Sequence, residues 1–332
     1  MTNIFRNIAL SVLAVSAGCA LAGSAQAAEV FQPTTPGGNH DIRAAELPSE
    51  PGLYFLGAFA RTSNDKITDD SGNAIFPDTD QTVSVGGLGA LYVFPDEIAG
   101  GRLGASLVFG YGTNDLVVTN LPVGPGGTPI RGDNTGLFDL TGELVWSKAH
   151  YNPPNPAAGP VPIPSGFAYS FGLGFTAPIG AFDGDKTGNP GFNNWVLSPS
   201  IAATWRSDPI WLHGTELSVR ASYNHNFKRE DSTGGFEYSD GDYVIADVAL
   251  TERYNMFQFG VAGTMIKQIE DDEGSLAVPD GTRGRVSSLK AGPIVAIYLP
   301  DTSIVKMKYL VDIDTENTFE GNRFQVAYIK KF

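Results

Sequence analysis

Four histidines, His40, His150, His213 and His225, are the side chains of this sequence best suited to act as general bases or metal ligands, and Cys19 is its lone cysteine. A hydrolytic triad needs a serine within reach of a histidine base that a third polar group orients. His225 is the histidine at a predicted outer rim, and where a His-x-Ser pair would place that serine stands Phe227. No His/Cys spacing matches a metal site. Neither a phosphate loop opening a helix nor a nucleophile elbow occurs. Gly86-Gly87-Leu88-Gly89 lies in a strand pattern and reads as close backbone packing or a bulge. The sequence thus predicts no catalytic residue, no metal and no cofactor.

Charge carries more information. Asp139, Glu143, Glu216, Arg220, Asp247, Arg253, Lys290, Lys306, Lys308, Arg323 and Gln325 all fall on the polar parity of segments that alternate with apolar residues. Opposite charges facing one another inside a closed sheet form a plugging network or line a pathway. On strands near 101–112 and 166–177 the same parity is mostly Gly, Ser and Ala, which leaves volume.

The elements that must hold these residues are strands. Over Glu216 to Phe227, Leu217, Val219, Ala221, Tyr223 and Phe227 share one face, and Glu216, Ser218, Arg220, Ser222 and Asn224 the other. Runs of this kind predict about twelve strands near 53–61, 82–94, 101–112, 136–147, 166–177, 194–205, 212–227, 243–253, 255–268, 284–299, 303–314 and 322–332. Most have the length that crosses a bilayer at a tilt. Long connections follow strands one, three, five, seven and nine, and most of the others are tight, as outer loops and periplasmic turns are. The proline-rich segment 148–165 breaks that rhythm and reads as an extended polyproline-type spacer. Tyrosines and tryptophans such as Tyr92, Tyr111, Trp146, Trp195 and Trp205 sit near strand ends, where interfacial girdles belong.

Upstream of the strands, Arg6, the apolar run Ile8 to Gly23 and Ala25-Gln26-Ala27 read as a secretion leader cut before Ala28. Ala17-Gly18-Cys19 resembles the end of a lipobox, but Ser16 stands where leucine is usual. Loss of this leader removes the cysteine, so the mature chain needs a cohesive fold instead of disulfides. The expected division is a signal peptide over 1–27, a periplasmic extension over 28–51 and a barrel over 52–332. The chain carries 22 Lys and Arg against 36 Asp and Glu, net −14, which excludes nucleic acid as a partner class. Much of the acid lies in 62–81, 228–242 and 269–283, where it predicts a solvated outer surface or divalent bridging to lipopolysaccharide. The last strand ends on Phe332, with Tyr328, Val326 and Phe324 on its face; such an aromatic close predicts recognition by the barrel-assembly machinery.

Several segments resemble a known family. Leu53-Tyr54-Phe55, Gly172-Leu173-Gly174-Phe175-Thr176-Ala177-Pro178-Ile179-Gly180, Asn194-Trp195-Val196-Leu197-Ser198-Pro199-Ser200, Tyr238-Ser239-Asp240-Gly241-Asp242 and Arg283-Gly284-Arg285-Val286 with Leu289-Lys290-Ala291-Gly292-Pro293 resemble outer-membrane proteins of the family "MetA-pathway of phenol degradation". The resemblance runs over about 50–332 and implies passive channels for apolar or aromatic growth substrates, with no catalytic residues to carry over. The expectation is an all-β protein, a single transmembrane antiparallel β-barrel of about twelve strands, monomeric, in the outer membrane of a Gram-negative bacterium. Its leading role is that of a channel for small hydrophobic or aromatic solutes. A plugged structural or adhesive barrel is the alternative, and a lipase-like barrel enzyme the third.

Overall fold

The computed structural model describes residues 37–332 except 77, 120–129, 154, 156–163, 184–185, 187, 230–237 and 275–284. The expected leader, its cleavage site, Cys19 and most of the proline segment lie outside the described residues. In chain order the strands are β1 (Gly52–Thr68), β2 (Ala74–Phe76), β3 (Thr79–Ile98), β4 (Gly101–Val118), β5 (Ile130–Leu137), β6 (Leu140–Tyr151), β7 (Gly166–Ala177), β8 (Val196–Arg206), β9 (Thr215–Asn226), β10 (Tyr238–Ser239), β11 (Tyr243–Tyr254), β12 (Phe257–Gln268), β13 (Glu273–Gly274), β14 (Ser287–Tyr298), β15 (Ile304–Glu316) and β16 (Phe319–Lys331). Each long strand pairs antiparallel with its sequence neighbours, and β16 returns to pair with β1, closing the sheet. β5 and β6 form one stave broken at Phe138-Asp139, β2 is a short flap on β1, and β10 pairs with β13. The wall therefore has twelve antiparallel staves, and closure leaves no free edge along it.

Sequence alternation explains which way each side chain points. Phe257, Phe259, Val261 and Met265 of β12 are exposed, whereas Gln258, Ala262, Thr264, Ile266 and Gln268 between them are buried. The same holds for Leu217 and Val219 of β9 against Glu216 and Ser218. In water an exposed apolar belt of this extent would be a liability; around a closed barrel it is the surface that lipid covers. The tight connections follow backbone chemistry: Ala99 and Gly100, between β3 and β4, both have positive φ, 54° and 72°, the twist that a two-residue hairpin requires.

Two features differ from the sequence reading. β1, β3 and β4 run well beyond the predicted strand ends, so the outer connection expected over 62–81 shrinks to Asp69–Asp78 and carries β2. Its walls bury Asn64, Gln81 and Asn114, and Asn64 Nδ2 donates to Gln81 Oε1 at 2.7 Å. Ile67, Leu116 and Val118 of these extensions pack inward with Phe76 and Phe319, while Asp65, Asp80 and Asp115 are exposed, so the outward-apolar alternation that marks the membrane part does not continue into them. The second difference concerns the segment expected to extend into the periplasm over 28–51. Its described part from Gly37 threads the barrel interior.

Candidate functional site

Residues 37–50 form a strap, and its contacts reach strands on all sides of the barrel. Gly38 N donates to Asp247 Oδ1 at 2.8 Å and His40 N to Asp247 Oδ2 at 3.1 Å. Asp41 accepts from Lys306 at 2.5 Å and from Lys308 at 2.8 Å, and Lys308 also donates to Gly38 O. Arg323 donates to Gly37 O at 2.8 Å and to Asn39 Oδ1 at 3.2 Å, and Gln325 donates to the same Asn39 oxygen. Further along, Arg43 N donates to Glu216 Oε1 at 2.8 Å, Ala45 N to Thr204 Oγ1 at 3.2 Å, and Ser147 Oγ to Ala45 O at 2.6 Å. Glu46 pairs with Arg206 at 3.1 Å, and Glu50 with Lys331 at 2.6 Å, where the strap meets β1.

The strap must be small where it passes the wall. A Cβ on Gly37 would stand 2.5 Å from Thr264 Oγ1, and Gly38 has φ of 76°, so neither position accepts an ordinary side chain without displacement. Ile42 packs with Ala249, Ala262, Ile294, Ala296 and Leu310, and Ala45 with Ala168 and Ala202. These small apolar contacts interrupt an otherwise polar interface. Burial alone pushes the Asp41 carboxyl upward, but the two lysine ammonium groups outweigh it and hold it well below the usual carboxylate range.

Beside the strap further charged groups pair along the inner wall. Arg220 donates to Glu143 Oε1, and Ser200 donates to that oxygen at 3.1 Å. β7 and β8 separate β9 from β6 in the sheet, and Glu143 reaches Arg220 along the inner wall, over Gly172 and Ser200. Lys290 donates to Asp312, which also accepts from Ser288 Oγ at 3.0 Å and Gly321 N at 2.8 Å. His40 lies 3.7 Å from Asp247 and 4.0 Å from Glu143 by its two ring nitrogens. Its side chain keeps 41% of its surface accessible, so it borders free space inside the barrel.

Most of the polar-parity residues of the sequence analysis therefore meet partners inside the barrel. Glu216, Asp247, Lys306, Lys308, Arg323 and Gln325 hold the strap, Glu143 pairs with Arg220, Lys290 pairs with Asp312, and Arg253 lies near the end of β11. Asp139 behaves differently. At the break between β5 and β6 it accepts from Gly180 N and Phe192 N, both at 2.8 Å, and so fastens the outer connection 178–195. Asn189 of that connection accepts through its backbone oxygen from Asn114, an inward residue of β4, so this segment folds over the outer mouth.

Sequence reading missed the strap itself. Gly37-Gly38 followed by Asp41, Arg43 and Glu46 was the available signal, since these charges complement those inside the barrel. The acidic outer residues are also more committed than composition suggests. Asp242 accepts from Tyr223, from His225 at 2.8 Å and from Asn226 N at 2.9 Å; Asp240 pairs with Arg229 at 3.2 Å, and Asp272 accepts from Gly241 N at 2.8 Å. Among the described residues no cluster of His, Cys, Asp and Glu has the geometry to hold a metal ion.

A closed twelve-stave antiparallel barrel, apolar outside and charged inside, defines an integral protein of the Gram-negative outer membrane. The chain belongs to the family described as "Putative MetA-pathway of phenol degradation", whose profile matches residues 64–328. Among solved structures it is similar to the COG4313 outer membrane channel from Pseudomonas putida F1, with a TM-score of 0.69 and 14% identity over 88% of this chain and 99% of that one. That likeness establishes a shared fold. Weaker similarities include the TodX monoaromatic hydrocarbon channel in a deltaS2S3 mutant (TM-score 0.45, 11% identity, 92% of this chain and 98% of that one). The transport unit of the autotransporter AIDA-I from Escherichia coli is another (TM-score 0.44, 11% identity, 86% and 91%). No curated protein matches the chain.

Proposed function

We propose that this barrel is a monomeric passive channel for small hydrophobic or aromatic solutes, kept shut at rest by the strap and performing no catalytic step. The observation that carries this reading is how the strap is held. Its attachment to the lumen is mostly ion pairs and hydrogen bonds to side chains, contacts that water can replace one at a time. A permanent plug would bury a large apolar face, and the strap's apolar contacts rest mainly on Ile42, Leu47 and small alanines. The family to which the chain belongs is described by phenol degradation, and the structural relatives include proteins named as an outer membrane channel and a monoaromatic hydrocarbon channel. Those names support the solute class. Lipid covers the apolar belt in this reading, lipopolysaccharide surrounds the outer rim, and the barrel-assembly machinery recognises the strand ending in Phe332.

The deciding experiment compares the full chain with a variant lacking residues 37–47. Planar-bilayer conductance and uptake of a radiolabelled aromatic hydrocarbon into proteoliposomes are both expected to rise in the deletion variant. A barrel that stays closed to ions and to the hydrocarbon after losing the strap would favour the plugged structural or adhesive reading.

A further inference from the structure

Around the periplasmic end of the lumen three guanidinium groups, those of Arg43, Arg206 and Arg253, share two carboxylates. Arg206 takes Glu46 at 3.1 Å, and Arg43 takes Glu216 at 3.7 Å. Arg253 has neither. Among the described residues no carboxylate lies within ion-pair distance of it, and its guanidinium makes a single hydrogen bond, from Nε to Asn255 O at 3.2 Å. Glu252, next in the chain, is occupied by Leu212 N, Gly214 N and Thr215 Oγ1. Arg253 is nevertheless only 6% exposed, and its Nη1 is buried without a partner. Of the five N–H donors of its fork, Nε makes one hydrogen bond and those on Nη1 are buried and unsatisfied, and a buried unpaired charge is among the costlier features a protein can carry.

That fork borders a small cleft formed by Arg206, His213, Thr215, Glu216, Arg253 and Gln258. Gln258 is committed at both ends, accepting from Tyr298 at 2.6 Å and donating to Thr251 at 2.8 Å. His213 Nδ1 accepts from Asn255 N at 3.0 Å, so the neutral ring carries its proton on Nε2 and is a second donor at the cleft. Glu216, the carboxylate at the border, is engaged by Arg43 N and Ser218 Oγ. The Tyr298 ring lies under both Arg43 and Arg253, at 4.8 and 4.9 Å, and so offers its face to the cations and no counter-charge.

We infer that this cleft is a binding site for the carboxylate group of a small organic acid, with the Arg253 guanidinium as its main anchor and His213 as the second donor. A planar carboxylate matches a guanidinium fork in a way that a spherical or tetrahedral anion does not. The cleft encloses about 20 Å³, room for one water-sized group. One carboxylate oxygen therefore enters, against Nη1 of Arg253, and the other oxygen and the rest of the molecule stay in the mouth of the barrel. The site needs no transport to be detected and stands whether or not the barrel conducts.

The test is a titration of ¹³C-labelled acetate and benzoate into the full-length barrel in detergent micelles at constant ionic strength, followed by ligand line broadening. Saturable broadening is expected, weakened about tenfold or more by Arg253→Gln and less by Arg253→Lys, which keeps the charge but loses the fork. Heat-modifiable migration on gels reports that each variant has folded. Should Arg253→Gln not assemble, His213→Gln leaves every charge in place and is expected to weaken binding severalfold. Wild-type protein without saturable broadening, a folded Arg253→Gln that binds as wild type does, or phosphate displacing acetate better than benzoate does would each overturn the assignment.

Discussion

Asp41 shows at the scale of one side chain how the strap is fastened inside the barrel. Two lysines from β15 converge on its carboxylate, and all three groups are largely withdrawn from water. Asp41→Asn leaves both ammonium groups without their counter-charge, a change that costs about 3–5 kcal/mol when such a pair is buried. The strap of that variant is expected to become accessible to protease added from the periplasmic side, measured as cleavage within 37–47 while the barrel stays resistant. The pH dependence follows from the direction of the shift. A carboxyl held below its ordinary range favours the docked strap at every pH above that range, and loses this contribution only as the pH falls through the lowered value. Protection of the wild-type strap should therefore be the same at about pH 7 and about pH 5, and a strap released over that interval would exclude Asp41 as its latch. The inward partners of Asp41 were legible in the sequence because parity in a strand is strict. Asp41 itself was not, because it lies in no strand and has no periodicity to betray it.

At the scale of the strand, alternation assigns two neighbours to opposite media. Val219 faces outward and is exposed, whereas Arg220 pairs with Glu143 inside. Val219→Arg puts a charge in the lipid belt, at a cost of roughly 2–4 kcal/mol near mid-membrane, and should reduce the heat-modifiable folded fraction. Arg220→Ala should leave folding largely intact, since Glu143 keeps Ser200 as a donor, and should change conductance in the strap-deleted barrel. Equal assembly defects in both variants would mean that the two faces are not segregated. The alternating pattern gave the positions of the membrane-crossing segments, and it failed where lipid ceases. β1, β3 and β4 continue upward as walls that are polar outside and partly apolar inside, and the stave read as 136–147 is split at Phe138-Asp139 so that Asp139 can turn to the outer connection. The first reverses the parity, with Ile67, Leu116 and Val118 turned inward, and the second is a break of two residues, too short to interrupt a period-2 pattern.

For the whole molecule, closure between β1 and β16 joins the two ends of the described sheet, and Phe332 N donates to Leu53 O at 2.9 Å with its ring against Phe55. Deleting Phe332 removes this last contact and should lower the yield of folded barrel in outer-membrane fractions. The strap adds a constraint of timing. Its partners are distributed over β6, β8, β9, β11, β15 and β16, so its binding surface does not exist until the final staves have been laid down. Contacts such as Lys308 to Gly38, separated by 270 residues, are late events in any folding order. An incompletely zipped barrel must then display an undocked N-terminal tail to the periplasm, while a finished one hides it. A docked tail therefore reports that the barrel has closed, and cleavage of the tail by an added protease distinguishes unfinished copies from finished ones.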